Sequence, residues 1–257
     1  MTLPLAFLTV PLAHRGLHDA TARRPENALS AFRAAIAAGY GIELDVQLTA
    51  DGEAVVFHDD TLDRMTAETG PVAARRAADL RRIGLASSDD HIPTLSEVLD
   101  TVAGRTPLLI EIKDAGEALG PTDGQLEAAV ARALAGYAGP VAVMSFNPHH
   151  IITLRRLAPD LPRGLTTDAF DPADWPHTPP ATCARLAGIP DYDAAGASFL
   201  SHHFRDLARP RVRDLRRQGA AILCWTIRSP DQEAEARRIA HNITFEGYPA
   251  PHSAPAA

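Results

Sequence analysis

The strongest constraint on this chain is its rhythm: short β-rich apolar runs alternate with single Ala-rich helical patterns almost to its end. The runs predict strands at 8–13, 41–46, 54–58, 107–112, 141–146, 163–167, 197–202, 221–227 and 243–246. Helical periodicity between them predicts helices at 27–38, 95–102, 125–134, 148–157, 210–218 and 231–240. Asn27 is placed to cap the first helix and Gly39 to stop it. Strands separated by one helix each build parallel βαβ units, and a run as continuously apolar as 107–112 suits a sheet buried on both faces. At 257 residues, the alternation fits a (β/α)8 barrel. An open doubly wound sheet is the runner-up. It loses ground because no Gly-rich phosphate turn follows the first strand.

Nine strand candidates compete for the eight places of a barrel. The excess lies at 41–58, where Thr49-Ala50-Asp51-Gly52-Glu53 is too short to hold a helix. A hairpin and two successive barrel strands both fit that stretch. A short excursion, a loop with one helix, is expected at 60–93 after the strand that ends on His58, and a second irregular loop at 171–195. The expected organisation is one catalytic barrel domain over 1–249 and an unstructured tail over 250–257.

Composition narrows the class. A formal charge of −7 argues against a nucleic-acid binder, which needs a basic footprint. No run of about 18 apolar residues offers a membrane-spanning helix, so no stable membrane anchor is expected. The apolar start has no basic n-region and runs into His14-Arg15-Gly16 without a cleavage site, which reads as a first strand rather than a signal peptide. Cys183 and Cys224 lack metal-type spacing and are too few for a disulfide framework, which suits a reducing cytoplasm. The expected partner is a small molecule. Of the 25 basic residues all but Lys113 are arginine, so that one position calls for a reason.

The unusual polar residues end predicted strands: His14-Arg15, Glu43-x-Asp45, His58-Asp59 and Glu111-x-Lys113. In a barrel that end carries catalysis, and i, i+2 pairs share a strand face. Glu43 with Asp45, and Glu111 with Lys113, therefore project together. Three carboxylates offer oxygen ligands suited to Mg²⁺ or Ca²⁺; internal salt bridges to Arg15 or Lys113 are the bland alternative. His14 and His58 suit a general acid and base, although either alone reads as a core histidine. Arg15 offers a planar fork for phosphate or a bridge to a barrel carboxylate. Lys113 has three readings: a phosphate contact, a Schiff-base nucleophile, or a counter-charge to a metal site. Ser145-Phe146-Asn147 and Trp225 end strands and fit either a pocket wall or packing, and His202-His203 reads as a rim pair. Together these groups point to metal-assisted phosphoryl transfer.

The order Ala13-His14-Arg15-Gly16, Pro25-Glu26-Asn27, Glu43-Leu44-Asp45-Val46, Asp51-Gly52, Val55-Val56-Phe57-His58-Asp59 and Thr61-Leu62-x-Arg64-x-Thr66 resembles the glycerophosphodiester phosphodiesterase family. Ile92-Pro93-Thr94-Leu95, Glu111-Ile112-Lys113, Ser145-Phe146-Asn147 and Trp225-Thr226-Ile227 extend the likeness over most of the chain. The resemblance implies a TIM-like barrel that hydrolyses glycerophosphodiesters to sn-glycerol 3-phosphate and an alcohol with a divalent cation. It implies His14 and His58 as the acid–base pair and Arg15 and Lys113 on the phosphate. Glu43, Asp45 and Glu111 would hold Mg²⁺ or Ca²⁺, and Trp225 would border the glycerol. One departure is Glu246, in Thr244-Phe245-Glu246-Gly247-Tyr248-Pro249, where the family commonly carries Asp. Other readings are a lysophospholipase D or related phospholipase on the same barrel, which calls for an apolar groove, and a non-catalytic metal-binding barrel. A Schiff-base enzyme is the remotest.

Overall fold

The computed structural model describes residues 2–86 and 88–252. Its nine strands are β1 (Leu12–Ala13), β2 (Gly41–Leu48), β3 (Ala54–Val56), β4 (Leu108–Ile112), β5 (Val141–Ser145), β6 (Arg163–Thr167), β7 (Phe199–His203), β8 (Ala221–Ile227) and β9 (Asn242–Phe245). All but β3 are parallel, and β1 pairs with both β9 and β2, which closes an eight-stranded TIM-like barrel. The open question at 41–58 resolves as a hairpin. β3 folds back antiparallel on the end of β2, with Val46 opposite Val56 and Leu48 opposite Ala54. The Thr49–Glu53 backbone hydrogen bond closes the turn, and Gly52 supplies its left-handed residue at φ +79°. His58 therefore reaches the barrel mouth from an outlying arm rather than from a barrel strand.

Strand alternation gives the barrel wall an outer and an inner face. Ile42, Leu44 and Val46 of β2 face outward into the main core with Phe32 and Val98. The opposite face carries Gly41, Glu43, Asp45 and Gln47, all buried. At the bottom, Leu12, Leu109, Met144, Phe199 and Leu223 fill the barrel, and α1 (Ala6–Thr9) plugs it with Phe7. Two glycines make this filling possible. A Cβ on Gly41 would lie 2.5 Å from Leu12, and one on Gly164 would lie 2.5 Å from the Phe199 ring. Above this apolar floor the inward positions turn polar: Asp45 and Glu111 stand side by side on β2 and β4.

The outer helices are α2 (Leu29–Ala37), α3 (Ala77–Leu80), α4 (Leu95–Val102), α5 (Gln125–Leu134), α6 (Pro148–Leu157), α7 (Pro180–Leu186), α8 (Tyr192–Ala195), α9 (Pro210–Arg217) and α10 (Pro230–Ala236). Several expectations change. The run 8–13 is not one strand: its start is helical and the strand itself is Leu12–Ala13, with the Pro11 carbonyl accepting from the Gly41 N–H just ahead of it. Asn27 does not cap α2; Ala28 takes that place, and Asn27 adopts a left-handed conformation at φ 56°. The loop at 171–195 contains α7 and α8, and the excursion at 60–93 packs Leu62, Val72, Leu80 and Ile92 with Val55 and Phe57 of the β3 arm into a separate small core. Of the tail expected at 250–257, Ala250 is buried and accepts a hydrogen bond from the Tyr40 hydroxyl, while the His252 ring stacks on Tyr40. The expectation for 253–257 lies outside the described residues. Among the described residues no helix is long and apolar enough to cross a membrane.

Candidate active site

β2 and β4 bring Glu43, Asp45 and Glu111 together: one oxygen from each lies within 4.8 Å of the others, and all three residues are buried. Carboxylates this close cannot all ionise unaided. Burial, then the charges of Asp45 and Glu111, push Glu43 well above the ordinary carboxyl value. Burial and Asp45 also raise Glu111, against the pull of Lys113. Burial would raise Asp45 as well, but Lys113, His58, Arg15 and the Asn27 hydrogen bond hold it far below the usual range. A crowded, all-oxygen donor set in which Glu43 and Glu111 resist ionisation is one that a hard divalent cation would relieve, so the residues fit such an ion.

Two cations flank the carboxylates. Lys113 Nζ donates to Glu111 Oε1 at 3.2 Å and lies 3.9 Å from Asp45 Oδ1. Burial would lower this ammonium's pKa, but the two carboxylates raise it further, so it stays charged. Arg15 turns into the left-handed region at φ 53° as the chain leaves β1. Its N–H donates to Glu43 Oε2 at 3.1 Å, and its Nε lies 3.4 Å from Asp45 Oδ2.

The two imidazoles sit on opposite edges of this cluster. Lys113 Nζ also lies 3.3 Å from His58 Nε2 and donates to it, so His58 carries its proton on Nδ1, where Asp59 Oδ1 accepts it at 2.7 Å. His14 Nδ1 lies 2.5 Å from Glu246 Oε2, a carboxylate that also binds Arg228 Nε at 2.7 Å. Burial lowers both histidines below their ordinary value, more than their carboxylate partners raise them. Both rings are thus held neutral by burial and aimed through Nδ1 by an acid.

Beside His58 and Lys113 opens a cleft of about 570 Å³ with Leu119, Phe146 and Trp175 on its wall. Trp175 belongs to the loop before α7 and packs 5.0 Å from the Phe146 ring, so this irregular loop supplies an apolar wall. Trp225 stands against Phe146 at 5.4 Å and His203 at 5.0 Å, with its Nε1 donating to the Ser201 carbonyl. Ser145 and Asn147 are buried: Ser145 Oγ donates to the Ile112 carbonyl at the end of β4, and Asn147 Nδ2 donates to Asp114 Oδ1 and the Gly120 carbonyl in the loop beyond it. His202 is no rim residue; it is fully buried and burial drops it to about 4.

Three residues near the cluster were read more blandly from sequence or left open. Asn27 donates to Asp45 Oδ2 at 2.9 Å instead of capping α2. Glu26, given no role from the sequence, accepts from Arg15 Nη1 at 2.8 Å. Glu246 meets His14 where the family commonly has Asp. Its place directly after a strand was the available signal.

Phosphodiesterases are among the barrel's relatives. A solved Oleispira antarctica phosphodiesterase, in complex with the product sn-glycerol-3-phosphate, superposes with a TM-score of 0.76 at 25% identity over 95% of each chain. The glycerophosphoryl diester phosphodiesterase family model matches residues 14–242, and the chain belongs to that family and its class of enzyme. A glycerophosphodiester phosphodiesterase of Caldanaerobacter subterraneus is 36% identical over 61% of this chain and 66% of its own, just under two thirds of its length. One from Bacillus subtilis is 29% identical over 92% of this chain and 80% of its own.

Proposed function

We propose that the protein hydrolyses glycerophosphodiesters to sn-glycerol 3-phosphate and an alcohol, with a divalent cation held by Glu43, Asp45 and Glu111. The observation that carries this reading is the buried three-carboxylate cluster flanked by two cations and two carboxylate-aimed imidazoles. The Oleispira relative's product supports the glycerol side of the substrate. Mg²⁺ or Ca²⁺ at the carboxylates would supply charge for the phosphate and orient the glycerol oxygens. Arg15 and Lys113 bind the phosphate oxygens and offset the charge that grows on them. His14 and His58 form the acid–base pair. In the geometry described, His58 Nε2 is an acceptor, and each ring is oriented by the acid on its Nδ1. Trp225 borders the glycerol.

A second reading concerns the leaving group. The apolar wall of Leu119, Phe146 and Trp175 favours an alcohol with an apolar part, as in a lysophospholipid. A turnover panel of glycerophosphodiesters and lysophospholipids, with and without metal, tests both readings. Exhaustive chelation should abolish hydrolysis, and Mg²⁺ or Ca²⁺ should restore it. His14→Ala or His58→Ala should lower kcat by about 10² to 10⁴, the usual worth of positioned proton transfer. Full activity in chelated protein, or wild-type kcat in a folded histidine variant, overturns the corresponding role.

A further inference from the structure

We propose that Arg64 is a positioning residue of this enzyme: one guanidinium that holds His58 and Arg15 in fixed relation to each other. The proposal rests on the roles given above to those two side chains. Arg64 lies in the excursion after β3. Its Nε and Nη2 donate to Asp59 Oδ2 and Oδ1 at 2.6 and 2.8 Å. Its Nη1 and Nη2 donate to Glu26 Oε2 and Oε1 at 3.0 and 2.7 Å. Each carboxylate has a second, inward partner: Asp59 Oδ1 takes the His58 Nδ1 proton at 2.7 Å, and Glu26 Oε1 takes an Arg15 Nη1 proton at 2.8 Å. The result is one continuous series of charge-assisted bonds, His58–Asp59–Arg64–Glu26–Arg15.

Its ends need such a link. Arg15 follows β1 while His58 follows β3, and these two strands pair with β2 but not with each other. Inside the cluster Asp45 and Lys113 lie between them, 3.4 Å from Arg15 Nε and 3.3 Å from His58 Nε2, while on the outer side their spacing is left to two separate chain exits. Arg64 is nearly half exposed, and an exposed ion pair is worth little to stability, typically below about 1 kcal/mol. Two bidentate grips on one planar fork give geometry instead. Geometry matters here because a misplacement of about 1 Å can cost about 10²-fold in rate.

Arg64→Gln should keep the fold, by circular dichroism, and lose about 10- to 100-fold in kcat/KM. Combined with Asp59→Asn or with Glu26→Gln it should do little further harm, because each change breaks the same series. Arg64→Lys, which keeps the charge but offers no double fork, should fold and still lose most of the rate. This variant decides the matter if the glutamine form fails to fold. His58→Ala measured in parallel separates the two ideas. An inactive His58→Ala beside a wild-type-like Arg64→Gln overturns the positioning role alone, whereas an active His58→Ala overturns the catalytic reading beneath it. Losses that multiply in the double variants, or full activity in Arg64→Lys, also overturn the proposal.

Discussion

Lys113 carries one ammonium into a space bounded by Glu111 at 3.2 Å, His58 at 3.3 Å and Asp45 at 3.9 Å. A compact point charge can face all three; a guanidinium is a wide planar fork that needs a different approach. In a chain where every other basic residue is arginine, this geometry accounts for the exception. Lys113→Arg should therefore fold normally and lose most of kcat with its formal charge unchanged. The loss should fall on kcat more than on KM if the contact tightens as charge shifts onto phosphate oxygens. Steady-state kinetics with a circular-dichroism check reads this, and near-normal kcat would reduce Lys113 to a structural counter-charge. At this scale the sequence showed which side chains share a strand face, because that follows from a two-residue repeat. It did not show Asn27 on Asp45 or Glu26 on Arg15. Those contacts depend on a left-handed residue and on a turn that no local pattern dictates.

Elements were legible where one periodicity ran uninterrupted between clear signals. The predicted spans of α4, α5 and α6 match the structure, and each has a marked start: the Thr94–Glu97 capping box, Gly124, or Asn147 before Pro148. The apolar start of the chain was ambiguous because a short apolar run suits a strand or a buried helical turn equally, and only the barrel floor decides. The order of β2 and β3 was likewise a matter of tertiary pairing. Gly164 shows how such packing governs an element. It reads as an ordinary residue of β6, yet the fully buried Phe199 ring of β7 occupies the space of its missing Cβ. Gly164→Ala should destabilise the fold by about 1–3 kcal/mol through overpacking. Pairing it with Phe199→Leu should recover part of that loss. Urea unfolding of the three variants measures it, and an unchanged midpoint in the single variant would mean that the floor yields freely.

Across the whole molecule, His150 ties three elements together. It projects from α6 with Nδ1 at 3.0 Å from Glu127 of α5 and Nε2 at 3.5 Å from Asp114 at the exit of β4. Both His150 and Glu127 are buried. Burial by itself would lower the imidazole's pKa, but the two carboxylates outweigh it and the net shift is upward. Asp114 and Glu127 shift downward; burial opposes that shift, and the neighbouring His150, together with hydrogen bonds from Asn147 and the Leu119 N–H to Asp114 and from Thr122 to Glu127, exceeds it. The sign follows from linkage. The folded state binds the His150 proton more tightly than the unfolded chain does. The resulting stability is complete below the unfolded value of about 6.5 and is lost as pH rises through the raised folded value. The carboxylates act oppositely: their share is present above about 4.5 and lost as pH falls through their lowered folded values. His14, His58 and His202 are lowered in the fold and favour unfolding below about pH 6.5, but they do so equally in a variant that keeps them. Comparing wild type with His150→Gln therefore isolates one linkage. The variant should be less stable by about 3 kcal/mol near pH 5.5, the low end for leaving a buried carboxylate without its charge partner, because Thr122 still bonds Glu127. Urea unfolding of both proteins from pH 5 to 9 should show the gap narrowing as His150 loses its proton. A gap constant over that range would show that the imidazole binds α5 and the β4 exit through shape alone, with no charge involved.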